Sequence, residues 1–205
     1  MSFPARTMPV FVLLLAGAGV SLVGVGGVTE TPTRAASAQT PQLLLDFESG
    51  GPRGRVATRF GNAGTGAVSM VVRTAGGGEV KVIGGRAGGR AARFPGYPGS
   101  SQGRAAILVT TPGSRASVSP GRRAFTFGGS FRIDSVSSGS GRDNGDNLIQ
   151  RGNYGNRGQY KIQIDDHVPS CRVKGDAGTR FVQARRRVAP DRWYSVTCRR
   201  TAGGL

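Results

Sequence analysis

The sequence predicts an all-β domain, a sandwich or barrel of short strands, and three observations carry that prediction. Apolar residues recur at every second position in several short runs, as in Tyr160, Ile162 and Ile164 alternating with Lys161, Gln163 and Asp165. Glycine and proline are abundant, 35 and 11 residues, and they separate these runs as turns separate strands. Few segments escape glycine for a dozen residues, which leaves little room for a long helix.

Taken in order, the elements begin with Leu43 to Phe47, a short apolar run that reads as a first strand. Ala67 to Val72 and Glu79 to Ile83 are β-branched runs on either side of Gly76-Gly77-Gly78, the pattern of a hairpin. Gly84 to Gly89 reads as a turn, Ala91 to Phe94 as a short strand, and Pro95 to Gly99 as its stop. Ala105 to Thr110 is the next strand. Phe125 and Phe127 flank Thr126, and after Gly128-Gly129 the alternation resumes with Phe131 and Ile133. Asp143 to Asn147 reads as a polar loop before the strand Leu148-Ile149-Gln150. The run at Tyr160 reads as a half-buried strand. Cys171-Arg172-Val173, Phe181-Val182-Gln183 and Tyr194 to Cys198 complete the series. A glycine-rich, partly disordered segment is a tenable alternative for residues 50–66 only.

The first 38 residues read as a secretory signal peptide. Arg6 gives a positive start, Val10 to Val25 is apolar, and Ala36-Ser37-Ala38 is a small-x-small cleavage site, so the mature domain is expected to span 39–205. Glycine and alanine dilute the apolar stretch and a Thr-Pro-rich segment follows it, which favours cleavage over a retained anchor. No later segment approaches the ~20 apolar residues of a membrane span. The expected location is therefore extracellular. In that oxidising setting the only two cysteines, Cys171 and Cys198, read as a disulfide. Each falls on the apolar face of its strand, which suits a bridge between inward-facing positions. Two cysteines and one histidine are too few for a structural zinc site.

The formal charge is +17, and apart from Lys81, Lys161 and Lys174 every basic residue is arginine. The leader holds only Arg6, Arg34 and Glu30, so its removal leaves the charge nearly as high. Such a balance favours acidic partners: nucleic acid, anionic polysaccharide or anionic lipid. The plainer reading is a scatter of solvated arginines, since Arg185-Arg186-Arg187 is the longest run. Aromatic residues do not interleave with a basic groove, so specific nucleic-acid binding is not expected.

Three segments resemble the laminin-G-like branch of the concanavalin-A-like lectin/glucanase superfamily. They are Ala124 to Ile133, with its alternating Phe; Asn147 to Gly152 followed by Gly158 to Ile162; and Arg192-Trp193-Tyr194-Ser195-Val196-Thr197-Cys198. Gly89-Arg90-Ala91-Ala92-Arg93-Phe94 is similar to an earlier family strand. The likeness runs over residues 43–205 and is strongest after 124. It implies an antiparallel jelly-roll β-sandwich. In the family a further strand normally follows the Trp-bearing one, so the resemblance also implies a domain truncated at Leu205, with an unpaired sheet edge.

The superfamily's glucanases carry Glu-Ile-Asp-x-x-Glu. The nearest match is Gln163-Ile164-Asp165-Asp166-His167-Val168, with Gln163 and Val168 at the two glutamate positions. Retaining hydrolysis needs two carboxyls about 5–5.5 Å apart, and Asp165 and Asp166, as strand neighbours, would face opposite ways. A non-catalytic protein is expected. His167 reads as an exposed turn residue before Pro169. No organic cofactor is indicated. Calcium is the family's common ion, and Asp143, Asp146 and Asn147 form an oxygen-rich stretch that offers it ligands. For sugar binding, loops should supply aromatic faces and planar polar groups. Tyr97, Asn153, Tyr154, Asn156 and Arg157 fit that description, although both tyrosines also suit a role as core caps. The expected function is a secreted lectin-like module contacting carbohydrate or cell-envelope polymer. The alternatives are a nonspecific polyanion-binding protein and, third, a glycoside hydrolase relative.

Overall fold

Period-2 alternation needs a partner strand to satisfy its backbone groups, and the computed structural model shows which pairings result. It describes residues 40–96, 103–111, 118–134, 146–156, 158–201 and 205. Eleven strands occur among them: β1 (Arg59–Phe60), β2 (Ser69–Ala75), β3 (Lys81–Gly84), β4 (Arg90–Arg93), β5 (Arg104–Thr110), β6 (Phe125–Phe131), β7 (Asp146–Arg151), β8 (Gln159–Asp165), β9 (Val168–Gly175), β10 (Gly178–Gln183) and β11 (Tyr194–Arg200). Among the described residues every pairing is antiparallel, and helix is confined to two short 3-10 turns, so the fold class is all-β. The sheets have the orders β1-β2-β5, β10-β9-β8-β7, β11-β6 and β3-β4. No helix among the described residues is long and apolar enough to cross a membrane.

The second half follows the alternation closely. β6 runs unbroken through Gly128 and Gly129 and pairs with β11, placing Phe131 opposite Tyr194 and Phe127 opposite Cys198. A side chain at Gly128 would meet the Val196 carbonyl, which explains glycine there. The apolar face of β8 meets β6 through rings: Tyr160 lies 5.2 Å from Phe125 and 4.9 Å from Phe127. Cys171 of β9 is bridged to Cys198 of β11, with Cα atoms 5.9 Å apart. The bridge therefore ties the β7–β10 sheet to the β6–β11 ladder, as the shared faces predict. Phe131, Ile133, Ile162 and Ile164 are fully buried, in one apolar cluster with Val80, Val82, Ala92 and Met70 from the first half.

The first half departs from expectation in three places. Leu43 to Phe47 is not a strand: Leu44 donates its N–H to the Asn62 side chain and accepts from Ala63, and Phe47 takes a positive φ of 65°. Leu45 and Phe47 are nevertheless buried, so the apolar run packs without joining a ladder. β2 and β3 do not form a hairpin. Beyond the Gly76-Gly77 turn, Gly78 abuts the Arg104 backbone, and the chain then leaves the sheet, so that β3 pairs with β4 and bonds to residues 55–57 on its other side. Residues 50–66 are structured: they include β1, and Ala57 and Phe60 are buried.

Candidate functional site

The hairpin β8–β9 is closed by a two-residue loop, Asp166-His167, with φ of 45° and 66°. Such a loop matches the strand twist and fixes the register. Asp165 lies opposite Val168, Gln163 opposite Ser170, Lys161 opposite Arg172 and Gln159 opposite Lys174. Asn147 of β7 sits beside Gln163 on the other flank. Because alternate residues share a face, these side chains, all polar but Val168, form one surface back to back with the apolar face that meets β6.

The alternation predicted that this face would be solvated, and here the structure corrects the reading. Gln163 is 0 % exposed, Ser170 1 % and Asp165 2 %, and Gln159, Lys161 and Arg172 are also buried. Period 2 separates polar from apolar sides but does not report whether the polar side is covered. Lys174, by contrast, is half-buried, and Gln150, Thr179 and Gln183 at the margin are exposed. Within the face, the Gln163 amide donates to Asp165 Oδ2 at 2.6 Å, and the Ser170 hydroxyl donates to the same oxygen at 3.3 Å. The Gln159 amide donates to the Gly152 carbonyl at 3.2 Å. Three buried acceptors, Asn147 Oδ1, Gln159 Oε1 and Gln163 Oε1, have no hydrogen-bond partner. Each such oxygen costs about 1–3 kcal/mol if left unpaired, and each is shut off from solvent.

The β7–β8 loop borders the face. Gly152 turns at a φ of 75°, and the Asn156 N–H closes a turn onto the Asn153 carbonyl. Asn153, Tyr154 and Asn156 are exposed together there. Tyr154, 72 % exposed, does not cap the core. Its ring lies 4.9 Å from the Arg172 guanidinium and 5.2 Å from Lys174 Nζ, and Lys174 donates to the Tyr154 carbonyl at 2.7 Å. Both cations lie within cation–π distance of the ring. Tyr97 and Arg157 lie outside the described residues. The sequence reading missed Gln159, Lys161, Gln163, Ser170, Arg172 and Lys174 as a group. Its available signal was the uninterrupted polar alternation of β8, and the facing half appears only once β9 is in register.

The carboxylates are separated. Asp165 closes β8 on the polar face. Asp166 is a turn residue, not a strand residue, and its two oxygens each accept a 2.7 Å hydrogen bond from Arg187. Those bonds hold the Asp166 carboxyl below its ordinary value of 3.8 and raise the Arg187 value in turn. Val168 stands on the neighbouring strand, opposite Asp165. His167 occupies the turn as expected but is half-buried, with Nδ1 3.4 Å from the Val188 carbonyl. Burial pushes the Tyr160 phenol above its ordinary value, partly opposed by the Arg151 charge, and its hydroxyl donates to the Val118 carbonyl at 3.0 Å.

The stretch read as a polar loop ends in a strand: Asp146 and Asn147 open β7, opposite Ile164 and Gln163, so they project to opposite faces. Asp146 is fully buried. Asp143 lies outside the described residues. Among the described residues, no group of three or more His, Cys, Asp or Glu side chains is placed to hold a metal. Comparison with family models, curated proteins and solved structures returns no match to this chain.

Proposed function

We propose that this chain is a secreted, lectin-like binding module that contacts carbohydrate or cell-envelope polymer without catalysis. One observation carries the reading: on the β7–β8 loop an exposed tyrosine, Tyr154, braced by Arg172 and Lys174, stands with the exposed amides of Asn153 and Asn156. Sugars present hydroxyl donors in number and one apolar ring face. The exposed Asn153 and Asn156 amides can accept the former, and the Tyr154 ring can stack on the latter. Two facing sheets joined by a disulfide are consistent with the jelly-roll sandwich that the resemblance implies. The disulfide itself suits an oxidising compartment, in keeping with the leader-like first 38 residues. A non-catalytic role is supported by Gln163 standing beside Asp165 where hydrolysis would need a second carboxyl.

The test is a panel of immobilised oligosaccharides read by saturation binding. A defined glycan should bind saturably at moderate salt, and Tyr154→Ala should weaken it by roughly tenfold. No saturable glycan, or wild-type affinity in Tyr154→Ala, would refute the reading. The formal charge of +17 favours a second reading, a nonspecific polyanion binder. That reading predicts affinity for any polyanion, falling steeply with salt, and indifference to Tyr154→Ala.

A further inference from the structure

A second surface lies across β9 from the polar face. Pro169 and Ser170 are neighbours on a strand, so they point to opposite sides. Ser170 belongs to the polar face, and Pro169 opens into a cleft of about 430 Å³ between β9 and β11. Exposed Ala184 and half-buried Val196 give it an apolar floor over buried Phe131, Pro169 and Val188, and its rim carries Arg186, Arg187 and Arg192. The volume falls within the range of small-ligand sites.

The rim is fixed in place by the backbone. Ala184 donates to the Pro169 carbonyl at 2.8 Å, Val188 to His167 at 2.7 Å and Asp191 to Ile133 at 2.9 Å. The Ala189 N–H donates to the Tyr194 hydroxyl at 2.9 Å. Arg187 is engaged by Asp166, whereas Arg186 and Arg192 are exposed and form no ion pair with any described residue. Four arginines, Arg185, Arg186, Arg187 and Arg192, stand against Asp166 and Asp191, so the local balance stays positive.

We propose that this cleft binds a carboxylated sugar residue of an anionic polysaccharide, at a site separate from the polar face. The carboxylate pairs with Arg186 and Arg192, whose planar guanidinium groups match it bidentately. The C–H face of the sugar ring covers the apolar floor. A nucleic-acid backbone carries its charge on phosphates between the sugars, whereas a uronate carries its carboxylate on the ring that covers the floor.

The test titrates the protein with a uronate oligosaccharide of defined length, its methyl-esterified neutral form, and duplex DNA. Arg186→Ala/Arg192→Ala should weaken uronate binding by about tenfold. Arg73→Ala/Arg93→Ala, which removes the same charge from exposed strand positions, should change it by about twofold or less. Arg186→Lys/Arg192→Lys keeps the charge but loses the fork, and should still weaken binding by about fivefold. Equal losses in the two alanine pairs would overturn the proposal. So would wild-type affinity in the lysine pair, undiminished binding of the methyl ester, or DNA binding of equal affinity with the same dependence on Arg186 and Arg192. Circular dichroism and an intact disulfide confirm folding of each variant. Failure of the Tyr154 reading appears in Tyr154→Ala with neutral glycans, and failure of this proposal in the arginine pair with uronates, so the two remain distinguishable.

Discussion

Removing the Cys171–Cys198 bridge tests how the two facing sheets are held together. The cysteines are 27 residues apart. The loop-closure relation assigns such a crosslink about 3.5 kcal/mol at 25 °C, by restricting the unfolded chain. For a chain of this size the corresponding loss in Tm is about 7–14 °C. The perturbation is Cys171→Ala/Cys198→Ala, compared with the oxidised parent by urea denaturation followed in the far and near ultraviolet. Alanine is the suitable replacement, because Cys198 is 2 % exposed and a serine hydroxyl there would add its own desolvation cost. The native spectra should be retained while the urea midpoint falls. A loss below about 1 kcal/mol with native spectra retained would refute the loop-closure reasoning. The bridge also joins β9, which carries Arg172 of the polar face, to β11, which supplies Tyr194 and Val196 of the arginine-rimmed cleft. Uronate affinity should therefore fall in the same variant, as β9 and β11 lose their fixed separation.

Two further predictions follow from packing and charge. Phe131 is fully buried, with its ring 6.0 Å from Tyr194, so Phe131→Ala should destabilise the fold by about 3–5 kcal/mol in the same urea assay; a loss under about 1 kcal/mol would show that the site is not close-packed. The Asp166 value is lowered in the folded protein by its bonds from Arg187, so the ion pair's contribution is present above the ordinary value of 3.8 and is lost as pH falls from there through the lower folded value. Arg187→Ala should return the Asp166 titration, followed by carboxyl NMR, towards 3.8, and an unchanged midpoint would refute the assignment.

Alternation and turn chemistry made much of this molecule legible. Tyr160, Ile162 and Ile164 announce β8, Phe125 to Phe131 announce β6, and the positions of Cys171 and Cys198 announce which faces meet. Asn153, Tyr154 and Asn156 read as loop residues and lie in a turn after Gly152, whose φ is 75°. The same local signals misled where pairing is nonlocal. Val71 and Val82 look like hairpin partners across a glycine run, yet Val71 pairs with Leu108 and Val82 with Ala92. Leu43 to Phe47 is apolar enough for a strand, but its carbonyls and N–H groups find loop partners instead.

The sequence by itself determined the all-β class, the inward face of most strands and the disulfide, because side-chain period and cysteine parity are properties of the local chain. Tertiary structure alone decided that Gln159, Lys161, Gln163, Ser170 and Arg172 are buried together, that Asp165 and Asp166 part company, and that Arg186 and Arg192 border an apolar cleft. Those facts depend on strand register and on what covers a face. Register and cover are set by contacts between residues far apart in the chain, which no local period encodes.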